Sequence, residues 1–200
     1  MRFTFFLASG LLLFCHPSKA QFNVEPYLQD GAPHAMRVMW ESASTGPATL
    51  EWGTDENLGN TVTSAGVESL GGAMHDVLID GLAPNTPYYY RVASGAVSTL
   101  TYRFKTPPLP EAEADFSFVA MSDMQKSGAD PDVFDHIVHQ GVLDYFGGET
   151  SEEIALVLIP GDLVVNGNAY EQWSNDFFAP SHDLFAQVPL YPVLGNHEVN

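Results

Sequence analysis

The chain predicts two domains in series, an all-β sandwich followed by an α/β unit built on a parallel sheet. Three features carry this. Up to about residue 107, short strand-like segments recur between Gly, Pro, Asn and Asp turn residues, a spacing that suits a sandwich. In the next stretch, 108–114, Pro108 and Pro110 stiffen the backbone while Glu111 and Glu113 keep it solvated, as a linker requires. Beyond it, continuous apolar runs alternate with helical periodicity, the pattern of parallel strands covered by helices on both faces.

Composition narrows the function classes. The net charge is -18, from 25 acidic against 7 basic side chains among 200 residues. Such a balance excludes a general nucleic-acid-binding surface and docking on anionic lipid. With 45% hydrophobic residues, including 13 Phe, 8 Tyr and 3 Trp, the chain can bury a core. Arg2, an apolar run over 3–14 and Ser18-Lys19-Ala20 read as a secretory signal peptide, residues 1–20, cleaved after Ala20. That run is too short to cross a bilayer comfortably, and no other stretch is apolar enough to do so. Lipid attachment at Cys15 is disfavoured by the bulky Phe14 before it. The mature protein then has no cysteine and no disulfide, and is expected to be secreted or periplasmic. Oligomeric state cannot be read from these features.

Within the sandwich, 21–107, strands are expected over 36–41, with Trp40 in the core, 48–53, 75–79, 88–92 and 100–105. The segment Leu82-Ala83-Pro84-Asn85-Thr86-Pro87-Tyr88-Tyr89-Tyr90 resembles the corner of a fibronectin type III sandwich, where a tyrosine hydroxyl ties back to upstream backbone. In the α/β unit, 115–200, strands are expected over 116–121, 154–159 and 190–194. Asp130 as N-cap and Pro131 at the first position predict a helix carrying Val133, Phe134, Ile137 and Val138 on one face. Further helical patterns cover 170–178 and 182–187.

The chemistry lies where these three strands end. The first runs into Ser122-Asp123-Met124-Gln125, the second into Gly161-Asp162, the third into Gly195-Asn196-His197-Glu198. Ligands of open α/β sheets bind at the carboxyl ends of the strands, so these segments should converge. Two aspartates brought together repel unless a cation or a proton lies between them. Carboxylate, amide and imidazole donors without thiolate suit iron, manganese or zinc, and a shared carboxylate is a usual way to hold two such ions. Taken singly, each segment could be a turn or a cap; the three at successive strand ends favour a site.

With those motifs, Gly161-Asp162 and Gly195-Asn196-His197-Glu198 above all, the chain resembles the calcineurin-like metallophosphoesterases. Its preceding sandwich gives it the look of a purple acid phosphatase. The resemblance implies hydrolysis of phosphate esters by a metal-bound hydroxide at a centre of two metal ions (Fe, Mn or Zn). Asp123 would bind the first ion, Asp162 bridge both and Asn196 bind the second. His197 would contact the phosphate and protonate the leaving oxygen, with Glu198 orienting His197 or its loop, or lying at the surface. Gln125 stands where many relatives have a histidine ligand and could ligate through its carbonyl or only support the site. Val165 stands where the purple enzymes have a metal-bound tyrosine, which implies a colourless centre. The resemblance also implies further histidine loops downstream of Asn200, so that these 200 residues alone would show weak or absent activity. His34 and His75 are assigned to the sandwich, His136 and His139 to a partly exposed helix face, His182 to solvent near a helix start, and Lys126 to solvent or to a phosphate. The competing expectation is an exported, non-catalytic binding or adhesion protein with a degenerate metal site.

Overall fold

The computed structural model describes residues 22–126 and 128–199. The segment read as a signal peptide lies outside them. The first unit is a sandwich of two antiparallel sheets. Strands β1 (Phe22–Ala32), β2 (Ala35–Ser42), β6 (Ala73–Asp80) and β5 (Val67–Glu68) lie in that order in one sheet. The other runs β4 (Asn60–Ser64), β3 (Ala48–Gly53), β7 (Pro87–Ser94), β8 (Val97–Ser98), with β9 (Tyr102–Lys105) also paired to β7. Leu28, Met36, Val38, Trp40, Leu50, Ile79, Tyr90, Val92 and Phe104 fill the space between the sheets. Alternation along β7, with every second residue buried, is what one packed face demands. The Tyr88 hydroxyl accepts the Ala83 N–H at 2.9 Å, which closes the corner expected from sequence. Trp40 is fully buried and stacks on His75 at 4.8 Å between ring centroids.

Strand β1 was not anticipated. Pro26 interrupts its donor row, and the register shifts between Val24 and Tyr27, as a proline inside a strand requires. Its burial pattern also hides the usual alternation, because Pro26, Tyr27 and Leu28 are buried in succession. Leu28 points into the sandwich, whereas Val24 and Tyr27 belong to the core of the second unit.

That second unit is a parallel sheet in the order β10 (Ser117–Ala120), β11 (Ile154–Ile159), β12 (Leu190–Pro192). Helix α1, residues 133–146, runs through Val133–His136, Ile137–Leu143 and Asp144–Phe146, and α2 is Thr150–Glu153. Helix α3, residues 170–185, joins Tyr170–Gln172, Trp173–Phe178 and Ala179–Phe185. Ile154, Val157, Ile159 and Leu190 pack against Phe134, Val138, Val142, Phe177, Leu184 and Phe185.

Two expectations change here. Helix α1 starts at Val133, two residues later than expected, with Asp132 at the capping position and no side-chain cap, because 130–132 form a turn. The patterns over 170–178 and 182–187 belong to one continuous helix despite Pro180. Hydrogen bonding in Trp173–Phe178 widens to the π type just before it, a way for a helix to absorb a missing N–H. His182 therefore sits in the last turn, with Nδ1 hydrogen-bonded to Ala179 O at 3.0 Å and Nε2 3.1 Å from the Asp183 carboxylate, rather than solvated at a helix start. Among the described residues the helices pack on one face of the parallel sheet, and Phe118 (53%) and Leu158 (39%) are exposed on the other.

The two units share one interface. Tyr27 meets Phe178 at 4.8 Å. The Tyr90 hydroxyl, buried, donates to Ala186 O at 2.8 Å. Glu152 on α2 pairs with Arg103 and, at 2.7 Å, with Lys105, both on β9. Lys105 foremost, with Arg103 behind it, holds the Glu152 carboxyl below its ordinary value against the opposing effect of burial. A depressed carboxyl adds stability that is complete above its unfolded value, near 4.5, and is lost as pH falls through the folded value. Glu152→Gln is therefore expected to lower Tm by about 2–4 °C at pH 7, for a partly exposed network worth about 1 kcal/mol. The deficit should shrink as pH falls below about 4.5, as thermal melts across pH would show.

Candidate metal centre

The sheet delivers three loops to one end. Asp123, after β10, and Asp162, after β11, both adopt positive φ, 58° and 55°. This conformation is costly for a residue with a Cβ and turns each backbone sharply at the strand end. The loops interlock through backbone bonds, Asp123 N–H to Gly161 O at 3.5 Å and Gln125 N–H to Asp162 O at 3.2 Å. From the third loop, His197 N–H donates to Asp162 Oδ1 at 3.2 Å. Asp162 thus sits where all three meet. Asp123 and Asn196 are exposed beside it, and Asp162, Gln125 and His197 are partly buried. The Ser122 hydroxyl donates to Asp123 Oδ2 at 2.7 Å.

Close approach explains the glycines. A Cβ on Gly161 would lie 2.9 Å from Gly195 Cα, and one on Gly195 would lie 2.2 Å from Asp162 Oδ1. Only glycine lets these two backbones touch.

Glu198 has the clearest structural role. Oε1 accepts the N–H groups of Leu163 at 2.8 Å and Val164 at 3.0 Å; Oε2 accepts those of Asp162 at 3.1 Å and Gly195 at 2.7 Å. One carboxylate therefore ties the second loop to the third. Burial alone would raise its pKa, but these four donors outweigh it and hold the group below the usual carboxylate range. From sequence, loop orientation and a surface position were equally open for this residue; no spacing rule announces such a clamp.

His197 Nδ1 lies 2.8 Å from Val165 O. A carbonyl only accepts, so Nδ1 carries the proton and Nε2 is the nitrogen left for other work. Val165 itself is exposed. Lys126 forms a loose ion pair with Asp176 at 3.3 Å. His139, on α1, faces Asp135 at 3.2 Å and Asp183 at 3.4 Å, away from these loops.

The donors suit a hard cation. Gln125 Oε1 is buried with no hydrogen-bond partner among the described residues, an acceptor that a positive ion would satisfy. No three His, Cys, Asp or Glu side chains among the described residues form a metal-holding group.

Removing the clamp should cost stability. Glu198→Ala is expected to destabilise the chain by about 2–3 kcal/mol, since it strips the acceptor from four backbone donors. Glu198→Gln should cost about half as much. Gly195→Ala is expected to cost about 1–3 kcal/mol through overpacking against Asp162. Urea denaturation of the three variants checks the order.

Comparison with known proteins agrees with this geometry. Residues 22–106 match the family described as the purple acid phosphatase N-terminal domain, and residues 116–200 match the calcineurin-like phosphoesterases. A probable purple acid phosphatase 20 from Arabidopsis thaliana is 26% identical over 94% of this chain and 42% of its own length. A phosphoenolpyruvate phosphatase from Allium cepa is 25% identical over 82% of this chain and 34% of its own. The chain thus spans about two fifths or less of the curated relatives it matches. Among solved structures, a purple acid phosphatase from yellow lupin (Lupinus luteus) seeds shares the fold with TM-score 0.68 at 23% identity, over 86% of this chain and 35% of that one. PhoD does so with TM-score 0.67 at 19% identity, over 92% and 41%. The two matches follow one another along the chain: residues 22–106 are similar to the N-terminal domain of purple acid phosphatases, and residues 116–200, where three strand-end loops meet at Asp162, to the calcineurin-like phosphoesterases.

Proposed function

We propose that this chain supplies the sandwich and the first part of the catalytic sheet of a secreted, metal-dependent hydrolase of phosphate esters. In this reading residues 1–20 are a signal peptide, 21–107 the sandwich, 108–114 the linker and 115–200 the beginning of the catalytic unit. The observation that carries it is the meeting of the three strand-end loops at Asp162, whose carbonyl and carboxylate oxygens accept N–H groups from the other two.

Asp123 and Gln125 would hold one metal ion, Asn196 a second, and Asp162 would lie between the two. When bound, the ions supply positive charge to offset that developing on the phosphoryl oxygens, and they acidify the attacking water. Val165 offers no group that could bond ferric iron, so the centre is colourless. His197 presents Nε2 to the substrate and gives its proton to the leaving oxygen when the ring is charged. Its Nδ1–H, held by Val165 O, sets which nitrogen does this.

Asp162→Ala is the direct test. Titration calorimetry with Mn²⁺ or Zn²⁺ should show uptake by the parent chain and none by the variant. Hydrolysis of p-nitrophenyl phosphate by the full-length protein should fall by more than the roughly 10–100-fold seen when only a residue supporting a ligand is changed. Retained metal uptake and turnover in a folded Asp162→Ala protein would end this assignment of the site, and no hydrolysis by the full-length parent would leave a binding or adhesion role as the better reading.

A further inference from the structure

A second polar cluster, far from the metal loops in sequence, ends on His197. Glu41, on β2, is 1% exposed. A buried carboxylate persists only with donors around it. Here the Ser69 hydroxyl donates to Oε1 and the Tyr170 hydroxyl to Oε2. Ser69 lies in the sandwich, while Tyr170 opens helix α3. The Ser69–Gly72 turn is itself braced: Ser69 N–H donates to Gly72 O at 3.0 Å, and Asn23 Nδ2 donates to Gly71 O at 2.6 Å. Gly71 admits no side chain, since a Cβ there would lie 2.0 Å from the Tyr170 hydroxyl. Burial, and then the Glu41 carboxylate, push the Tyr170 phenol well above its ordinary value, so it remains a donor.

From Tyr170 the contacts lead to His197. Gln172 Oε1 accepts the Asn166 N–H at 2.8 Å, and Trp173 Nε1 donates to Gly167 O at 2.9 Å. Ala169 N–H closes the loop onto Asn166 O at 3.0 Å. This braced loop supplies both backbone partners of His197: Gly167 N–H donates to His197 O at 3.0 Å, and Val165 O accepts its Nδ1–H at 2.8 Å. The first turn of α3 thus sets the loop, and the loop sets the ring.

We propose that Glu41 and Tyr170 are positioning residues, through which the sandwich fixes the 165–169 loop and with it the orientation and tautomer of His197. The hydroxyl–carboxylate contact crosses from one unit to the other, and the sandwich becomes a working part of the hydrolytic site. Only the consequence for turnover rests on the phosphoesterase reading; the contact and its effect on the imidazole stand apart from it.

The test is nitrogen-15 NMR of the His197 ring at pH 8 in the 200-residue chain. The parent should show the Nδ1–H tautomer alone. In Tyr170→Phe the ring should pass into mixed tautomers with faster Nδ1–H exchange. Ser69→Ala also removes a donor from Glu41 but leaves the bond to α3, and should leave the ring unchanged. An unaltered tautomer in folded Tyr170→Phe, or an equal disturbance in Ser69→Ala, overturns the proposal. Should Tyr170→Phe fail to fold, Glu41→Gln weakens the same contact and must move the ring in the same direction, and no movement there overturns it as well. In the full-length enzyme, Tyr170→Phe should slow an alkyl phosphate on the order of tenfold and p-nitrophenyl phosphate less than about threefold, because only the poor leaving group depends on a well-placed acid. If His197→Ala shows no such leaving-group dependence, the role of His197 in hydrolysis fails while the NMR result still decides the positioning.

Discussion

The Glu198 carboxylate and the four backbone N–H groups it accepts are the constraint on which the site depends. Loops at the ends of parallel strands have no ladder of their own, so their donors need another acceptor. Each Glu198 oxygen takes two, Oε1 those of Leu163 and Val164, and Oε2 those of Asp162 and Gly195. Because the acceptor is charged, these bonds are stronger than neutral ones, and they offset the strain of Asp162 at φ 55°. Gly161 and Gly195 make the arrangement possible by letting the backbones touch. The meeting of the loops is thus held by main chain and one acid, while Asp123 and Asn196 remain exposed at its rim.

The sandwich is more than a neighbour of this site. Strand β1 divides its side chains between two cores, Leu28 inside the sandwich and Val24 and Tyr27 against helix α3. Around that apolar contact lie the bond from Tyr90 to Ala186, the pairing of Arg103 and Lys105 with Glu152, and the contact of Tyr170 with Glu41. Each joins a strand of the first unit to a helix or a following turn of the second. The position of α3, and so of the loop before it, is determined jointly by both units. In a chain with net charge -18, the use of two of its 7 basic side chains on Glu152 also matters, since that contact relieves local repulsion at the interface.

Much was legible in the sequence because it depended on local periodicity and turn chemistry. Residues 48–53 read as a strand and are β3; the expected runs ending in Asp123, Asp162 and Gly195 contain the three parallel strands in the anticipated order. The tyrosine corner was readable because its partner, Ala83, lies only five residues from Tyr88. Failures have equally specific causes. Helix α1 begins at Val133 rather than at Pro131, because the residues before it form a turn. Pro26 and burial on both sides concealed β1.

What the sequence determined by itself is therefore the class of each unit, their order, and the residue types presented at three strand ends. Strand and helix periods, turn residues and the chemistry of Asp, Asn, Gln and His are properties of short segments. Only the tertiary structure decided which acid clamps the loops, which nitrogen of His197 is free, and that Glu41 reaches Tyr170 across 129 positions. Those outcomes depend on which donors and acceptors are brought within about 3 Å once the sheets have packed. Distance along the chain carries no information about that until the cores of both units are formed.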